Sequence, residues 1–267
     1  MRAAKTKNTF KNWFAALLLA APMSMAVAAG GHANYEKVDI DLGDQVSLQR
    51  GAQIFTNYCL SCHSATGMRF NRLQDIGLTE DEIKKNMMFT TDKVGDVMHA
   101  AMTPDDGKSW FGAVPPDLTL IARSRGADYL YAYLRGFYQD PTRPTGWNNT
   151  VFDKVGMPHP LWEQQGVKAV ELDKDGQPVW EKDEHGNLVP KLYWESTGLH
   201  SRRLPNGKVI EKEYDDYVRD LVNYMVYMGE PAQMQRKQIG YIVLIFLLAV
   251  MLPLAYFLKK EYWKDVH

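Results

Sequence analysis

Cysteine is nearly absent from this chain of 267 residues: there are two, Cys59 and Cys62, and both fall in the stretch NYCLSCHSATG. A structural zinc site takes four ligands, and without a second cysteine pair it would need two histidines from elsewhere, so the shortage weighs against zinc. Net charge is also almost missing, at −1 overall, but the balance is uneven. Residues 29–235 carry 22 lysines and arginines against 30 aspartates and glutamates. An acidic body argues against nucleic acid as a partner and for a basic one. Internal repeats and low-complexity tracts are lacking as well, which leaves one elaborated domain between two ends of different character.

Both ends are apolar. Arg2, Lys5, Lys7 and Lys11 precede the run WFAALLLAAPMSMAVA, and Ala26, Val27 and Ala28 supply a small-x-small pattern after it. This is the layout of a secretory signal peptide over residues 1–28, with a site near Ala33 as the alternative to cleavage after Ala28. Pro22 and the shortness of the apolar core argue against a retained N-terminal anchor. Residues 239–258 form a run of 20 without a charge, which at helical rise matches the ~30 Å hydrocarbon core of a bilayer. The expected layout is an exported domain over residues 29–235, an anchor helix over 236–258 and a cytoplasmic tail over 259–267. Orientation follows from the export signal, because the charges flanking the apolar run are basic on both sides.

Within the exported part, SLQRGAQIFTNYC repeats Leu48, Ala52, Phe55 and Cys59 at helical spacing. A second helix is expected from Thr79, where TEDEIKKNMMF has a capping threonine and an acidic first turn. A third, GADYLYAYLRGFY, spreads aromatic and leucine residues over more than one face. Prolines 141, 144, 158 and 160 then mark a long irregular segment. Residues 167–208 alternate apolar with polar between Asp-Gly, His-Gly-Asn and Pro-Asn-Gly turns, which reads as short hairpins. Helical periodicity resumes in EKEYDDYVRDLVNYMVYMGEP until Gly229 and Pro231 stop it. The fold class expected is mainly α, with irregular loops, a short β-hairpin insertion and one C-terminal transmembrane helix.

Two readings besides zinc compete for Cys59, Cys62 and His63. A redox disulfide suits an exported protein, but the strand-helix-strand pattern expected around it is lacking. Covalent haem accounts for every member of the motif: two thiols three positions apart add to the vinyl groups on one porphyrin edge, and the next residue is an imidazole for the iron. The chemistry implies one haem c and a sixth ligand. Met87 and Met88 lie in a helical run and read as core, while Met102 and Met157 lie in loops. Met157 is favoured because Gly156 and Pro158 hold its backbone rigid and non-helical, and His159 is the runner-up. The haem propionates need partners, for which Arg123, Arg125 and Tyr129 are candidates. Trp110 and Phe111 are candidates for the wall at the haem edge.

Taken in order, CLSCH, PPDLTLIARSR, DYLYAYL, VGMPHP, the helix EYDDYVRDLVNYMVYMGEP and the ending EYWKDVH resemble the cytochrome c1 family in its bacterial form. The resemblance implies a periplasmic c-type haem domain, anchored in the inner membrane by one helix. Its partners would be cytochrome b and a Rieske iron-sulfur protein in a dimeric quinol-oxidising complex, with a soluble basic cytochrome c as electron acceptor. It further implies Cys59 and Cys62 as thioether sites, His63 and Met157 as axial ligands, Arg125 and Tyr129 as propionate partners, and Pro116, in PPDL, as part of the haem pocket. Residues 167–208 receive no role from it. Glu211, Glu213, Asp215 and Asp216 are candidates for steering the basic acceptor. The rival is a free-standing tethered carrier or a haem subunit of a terminal oxidase. It shares every haem feature, but a simple carrier needs only about 100 residues of core.

Overall fold

The structure, a computed structural model, describes residues 34–264; the expected export signal and the last residues of the tail lie outside them. Helix α1 (Gln45–Ile54) begins where the Asp44 side chain accepts a hydrogen bond from the Ser47 amide at 3.0 Å. It continues as one π-turn, Phe55–Cys59, closed by the Leu60 amide donating to the Phe55 carbonyl. Such wide turns are uncommon inside helices and recur at functional sites. Here it ends on the first cysteine.

The helices that follow in the body are α2 (Glu80–Asn86), α3 (Pro104–Phe111), α4 (Ile121–Arg125), α5 (Ala127–Arg135), α6 (Trp162–Gln165) and α7 (Lys212–Gly229). Capping boxes open α2 and α3, built from Thr79 with Glu82 and from Thr103 with Asp106. The core forms where α1 meets α7. Gly51 makes that crossing possible, since a Cβ there would stand 2.1 Å from the Asp220 carbonyl oxygen. Leu48, Ala52 and Phe55 bury against Val218, Leu221 and Tyr224, and the Phe55 and Tyr224 rings lie 5.6 Å apart. Each fully buried Leu, Val or Phe contributes on the order of 1.5–3 kcal/mol. A polar node sits inside the same contact: Asp220 accepts from Ser47 Oγ at 2.7 Å and Arg50 Nε at 2.5 Å, and Asn223 donates to Ser47 Oγ at 3.0 Å.

Strands β1 (Ala65–Arg69) and β2 (Val97–Met98) pair antiparallel. A four-stranded sheet has the order β4-β3-β5-β8, from β3 (Phe137–Gln139), β4 (Trp147–Asn149), β5 (Gly166–Val170) and β8 (Leu192–Thr197). Between its last two strands, β6 (Trp180–Lys182) and β7 (Leu188–Pro190) form a hairpin arm.

Two local expectations are corrected. The aromatic helix expected to run to Tyr138 stops at Arg135, and Phe137–Gln139 is strand, with Phe137 opposite Asn149 and Gln139 opposite Trp147. Gly136 is the reason: a Cβ there would lie 2.5 Å from Thr150 Oγ1, so the chain passes too close to β4 for a bulkier helical residue. The proline segment expected to be irregular is therefore, in its first part, the loop of a β3–β4 hairpin. The hairpins expected over residues 167–208 join this sheet through β5, which pairs parallel to β3 with Gln139 opposite Ala169. Alternation within one strand identifies its two faces but not its neighbour in space.

The segment expected to be the anchor lies in a continuous helix, Gln233–Tyr262, of 30 residues, long and apolar enough to cross a membrane, with mean hydropathy 2.6 in its apolar window and no part of that window buried. It comprises α8 (Gln233–Phe246), a π-turn Leu247–Met251 and α9 (Leu252–Tyr262). Pro253 lacks an amide hydrogen and its ring crowds the carbonyl four residues earlier, and the wide turn falls where that crowding must be relieved.

Candidate functional site

The π-turn at the end of α1 leads into a tight turn in which the amides of Cys62 and His63 both donate to the Cys59 carbonyl, at 3.1 and 2.8 Å. His63 is buried, and its Nδ1 lies 2.8 Å from the carbonyl oxygen of Pro116. A carbonyl only accepts, so Nδ1 carries the proton and Nε2 keeps its lone pair. Burial pulls the imidazole pKa down and the Pro116 bond offsets this only in part, so the neutral ring is favoured. Both thiols are free. Burial, helped by neighbouring Cys62, pushes the Cys59 thiol up to about 12. That is the opposite of the lowered thiol pKa on which redox Cys-x-x-Cys pairs depend.

These residues border an apolar cavity of ≈ 400 Å³, within the range that holds organic cofactors. Pro116, Arg125, Tyr129 and Met157 line it too, so these four meet Cys59, Cys62 and His63 in one place. The Arg125 guanidinium stands 5.6 Å from the centre of the Tyr129 ring. Burial raises the Tyr129 hydroxyl pKa against the opposing charge of Arg125, leaving a neutral phenol that can donate.

Met157 owes its place to the β3–β4 hairpin. Asn149 donates from its amide to the Tyr133 carbonyl at 2.8 Å and accepts from the Val151 amide at 2.9 Å. Asn148 accepts from the Lys154 amide at 2.8 Å, while Lys154 itself adopts φ 59°. The loop is thus pinned up to its left-handed turn at Lys154, whose carbonyl also accepts from Arg143 at 3.1 Å. The Tyr133 hydroxyl donates to Met157 Sδ at 3.5 Å.

The other candidates fall elsewhere. His159 is buried outside the cavity, its ring stacked on Phe137 at 4.8 Å and edge-on to Trp147 at 5.2 Å. Met87 is core and accepts from Thr56 Oγ1 at 3.4 Å. Met102 does not line the cavity, and its amide is held by the Ser61 carbonyl at 3.0 Å. Arg123 turns to Glu230 at 3.4 Å. Phe111 lines the cavity, whereas Trp110 is 64% exposed against its outer side. Of the four acids considered for steering, three are engaged within the fold: Glu211 with Lys168, Asp215 with Arg135, and Asp216 with Lys212 and Arg219. Sequence reasoning missed Tyr133, Leu221 and Met225 as cavity residues. The signal was there in the four-residue spacing of Tyr129 with Tyr133 and of Leu221 with Met225, which puts each pair on one helix face.

Two thiols beside an imidazole with a free Nε2, a thioether on a pinned loop, apolar walls, and a guanidinium with a phenol form a donor set that suits haem. The family profile described as the Cytochrome C1 family matches residues 40–210 and 206–266. The chain belongs to the cytochrome c1 family. It is 45% identical to a cytochrome c1 of Allochromatium vinosum over 95% of this chain and 98% of that protein. It is 47% identical to a Nitrosomonas europaea protein named ammonia monooxygenase gamma subunit, over 94% of this chain and 96% of that one. The two names differ, and the family match over both parts of the chain decides for cytochrome c1. A cytochrome c1 of Rhodospirillum rubrum is 28% identical over 93% of this chain and 96% of its own. A solved chain titled hyperthermophilic respiratory complex III aligns with TM-score 0.42 at 16% identity, over 96% of this chain and 97% of that one. Cytochrome c1 membership implies covalently bound haem c and an electron-transfer role as a membrane-anchored subunit, which the long apolar helix fits.

Proposed function

We propose that this chain relays single electrons from a Rieske iron-sulfur centre to a soluble cytochrome c, as a subunit of a quinol–cytochrome c oxidoreductase that also contains cytochrome b. The observation that carries the reading is the convergence of Cys59, Cys62, His63 and Met157 on one apolar cavity. In this reading Cys59 and Cys62 would hold one haem by thioether bonds, His63 and Met157 would ligate its iron, and Arg125 and Tyr129 would meet its propionates. When bound, the haem supplies a one-electron ferric–ferrous couple. Pro116 fixes the His63 tautomer so that Nε2 keeps a lone pair that would serve the iron, and its own ring walls the cavity. Thioether ligation by Met157 favours a high potential suited to a late carrier. No side chain is required to move a proton.

Residues 1–28 act as the export signal, residues 29–235 form the periplasmic haem domain of a protein in the bacterial inner membrane, 236–258 anchor it, and 259–267 remain cytoplasmic. The acidic balance of residues 29–235 supports a basic soluble acceptor. Because three of the four acids at the start of α7 and just before it are already paired within the fold, neutralising them is expected to change stability more than acceptor docking.

The test is a reduced-minus-oxidised visible spectrum of the full chain, purified with whatever accompanies it in mild detergent, together with quinol-driven reduction of cytochrome c by the same sample. Co-purifying b-type haem and inhibitor-sensitive turnover are expected. A c-type signal alone, under conditions that keep other membrane complexes intact, would replace the proposal with a free-standing tethered carrier.

A further inference from the structure

The one hydrogen bond of the Tyr133 hydroxyl among the described residues goes to a sulfur, Met157 Sδ, at 3.5 Å. The ring is held in place from several directions. It stacks on Tyr129 at 6.0 Å and 16°, meets Phe137 edge-on at 5.2 Å, and its backbone carbonyl receives the Asn149 amide that begins the Met157 loop. The hydroxyl therefore reaches the thioether from a helix, while the thioether sits on a loop tied to that same residue. A thioether sulfur has two lone pairs, and a weak acceptor of this kind still responds to a donor fixed beside it.

We infer that Tyr133 tunes the redox couple of this site by donating a hydrogen bond to the axial sulfur of Met157. The inference rests on the reading of Met157 as a ligand. One lone pair serves the metal and the other accepts from the phenol. Drawing electron density from the sulfur weakens its donation, and the loss is felt more by a ferric than by a ferrous centre. The hydroxyl therefore stabilises the reduced state and raises the potential, as a hydrogen bond donated to a ligand atom does. Tyr133 is a positioning residue here. It touches the ligand and not the metal.

The test is Tyr133→Phe in the full-length holoprotein, read by optical redox titration and by the charge-transfer band that a thioether bound to ferric haem gives in the far red. Phenylalanine keeps both ring contacts and removes only the donor. The inference expects the band in both proteins and a lower midpoint potential in Y133F, with the thermal unfolding midpoint little changed. An unchanged potential with the band retained overturns the tuning role and leaves Met157 as the ligand. A band already absent from the parent protein overturns the ligand reading and the inference with it. Loss of the band in Y133F alone, with unfolding unchanged, would also support it, because the phenol would then be what keeps the sulfur on the metal.

Discussion

Gln165 saturates the ring of His159. The Gln165 side-chain oxygen accepts from His159 Nε2 at 2.9 Å, and its amide nitrogen donates to the Arg135 carbonyl at 3.1 Å and to Glu211 Oε1 at 3.0 Å. Since both of those partners are acceptors, the amide can face only one way, and it forces the Nε2–H tautomer on the histidine. The other ring nitrogen, Nδ1, accepts from the Leu161 amide at 3.4 Å. His63 makes one such bond and has a nitrogen to spare, whereas His159 has none.

From this follows a contrast between two neighbours. His159→Leu is expected to preserve the thioether signature of the ferric protein while costing about 1–3 kcal/mol of stability, since the buried Gln165 oxygen loses its donor. Met157→Leu is expected to abolish the signature and lower the midpoint potential. Visible spectra and redox titration of both variants decide it. Bis-histidine behaviour in the parent protein would reverse the assignment.

Asp220 is a buried carboxylate at the crossing of α1 and α7, held by Ser47 and Arg50. Asp220→Ala takes the acceptor from the Ser47 hydroxyl in the core and the carboxylate from Arg50, whose side chain is half exposed, and is expected to cost roughly 1–3 kcal/mol. Denaturant unfolding of the detergent-solubilised protein measures this. A loss below about 1 kcal/mol, the usual worth of a surface pair, would show that the node is not structural.

The same crossing depends on Gly51. Gly51→Ala is expected to destabilise by about 1–3 kcal/mol or more despite the better helix propensity of alanine, because the added methyl meets the Asp220 carbonyl. The unfolding midpoint should fall, and a rise would mean that the two helices can separate at little cost.

Asp140 links pH to the hairpin that carries the Met157 loop. Burial alone would raise its carboxyl pKa, but the hydroxyl and amide of Thr142, the Asn148 amide and Arg143 outweigh it and hold the group below its ordinary value. A lowered native pKa means that the contribution is fully present above the unfolded value of about 3.9 and is lost as pH falls through the lower native one. Asp140→Asn should flatten the acid limb of the stability curve. Parallel curves for parent and variant, from unfolding midpoints at several pH values, would remove Asp140 from that role.

What is contiguous in the chain is legible without the fold. Cys59, Cys62 and His63 are fixed relative to one another by a single turn, the anchor by an uncharged run, and α1 and α7 by local periodicity and stop signals. None of these needs knowledge of a distant residue. The choice among chemically equal candidates came from contacts made in the fold. Met157 and His159 share a loop, but the second is claimed by Gln165, which lies on α6. Arg123 and Arg125 share a short helix, but the first is drawn away by Glu230 at the far end of α7. Tyr133 is one of several tyrosines on its helix, and the Asn149 amide, arriving from β4, brings the sulfur within its reach. Each choice was made by a partner on another element, 6 residues away for His159, 16 for Tyr133 and 107 for Arg123, and a spacing rule within one element carries no information about such a partner.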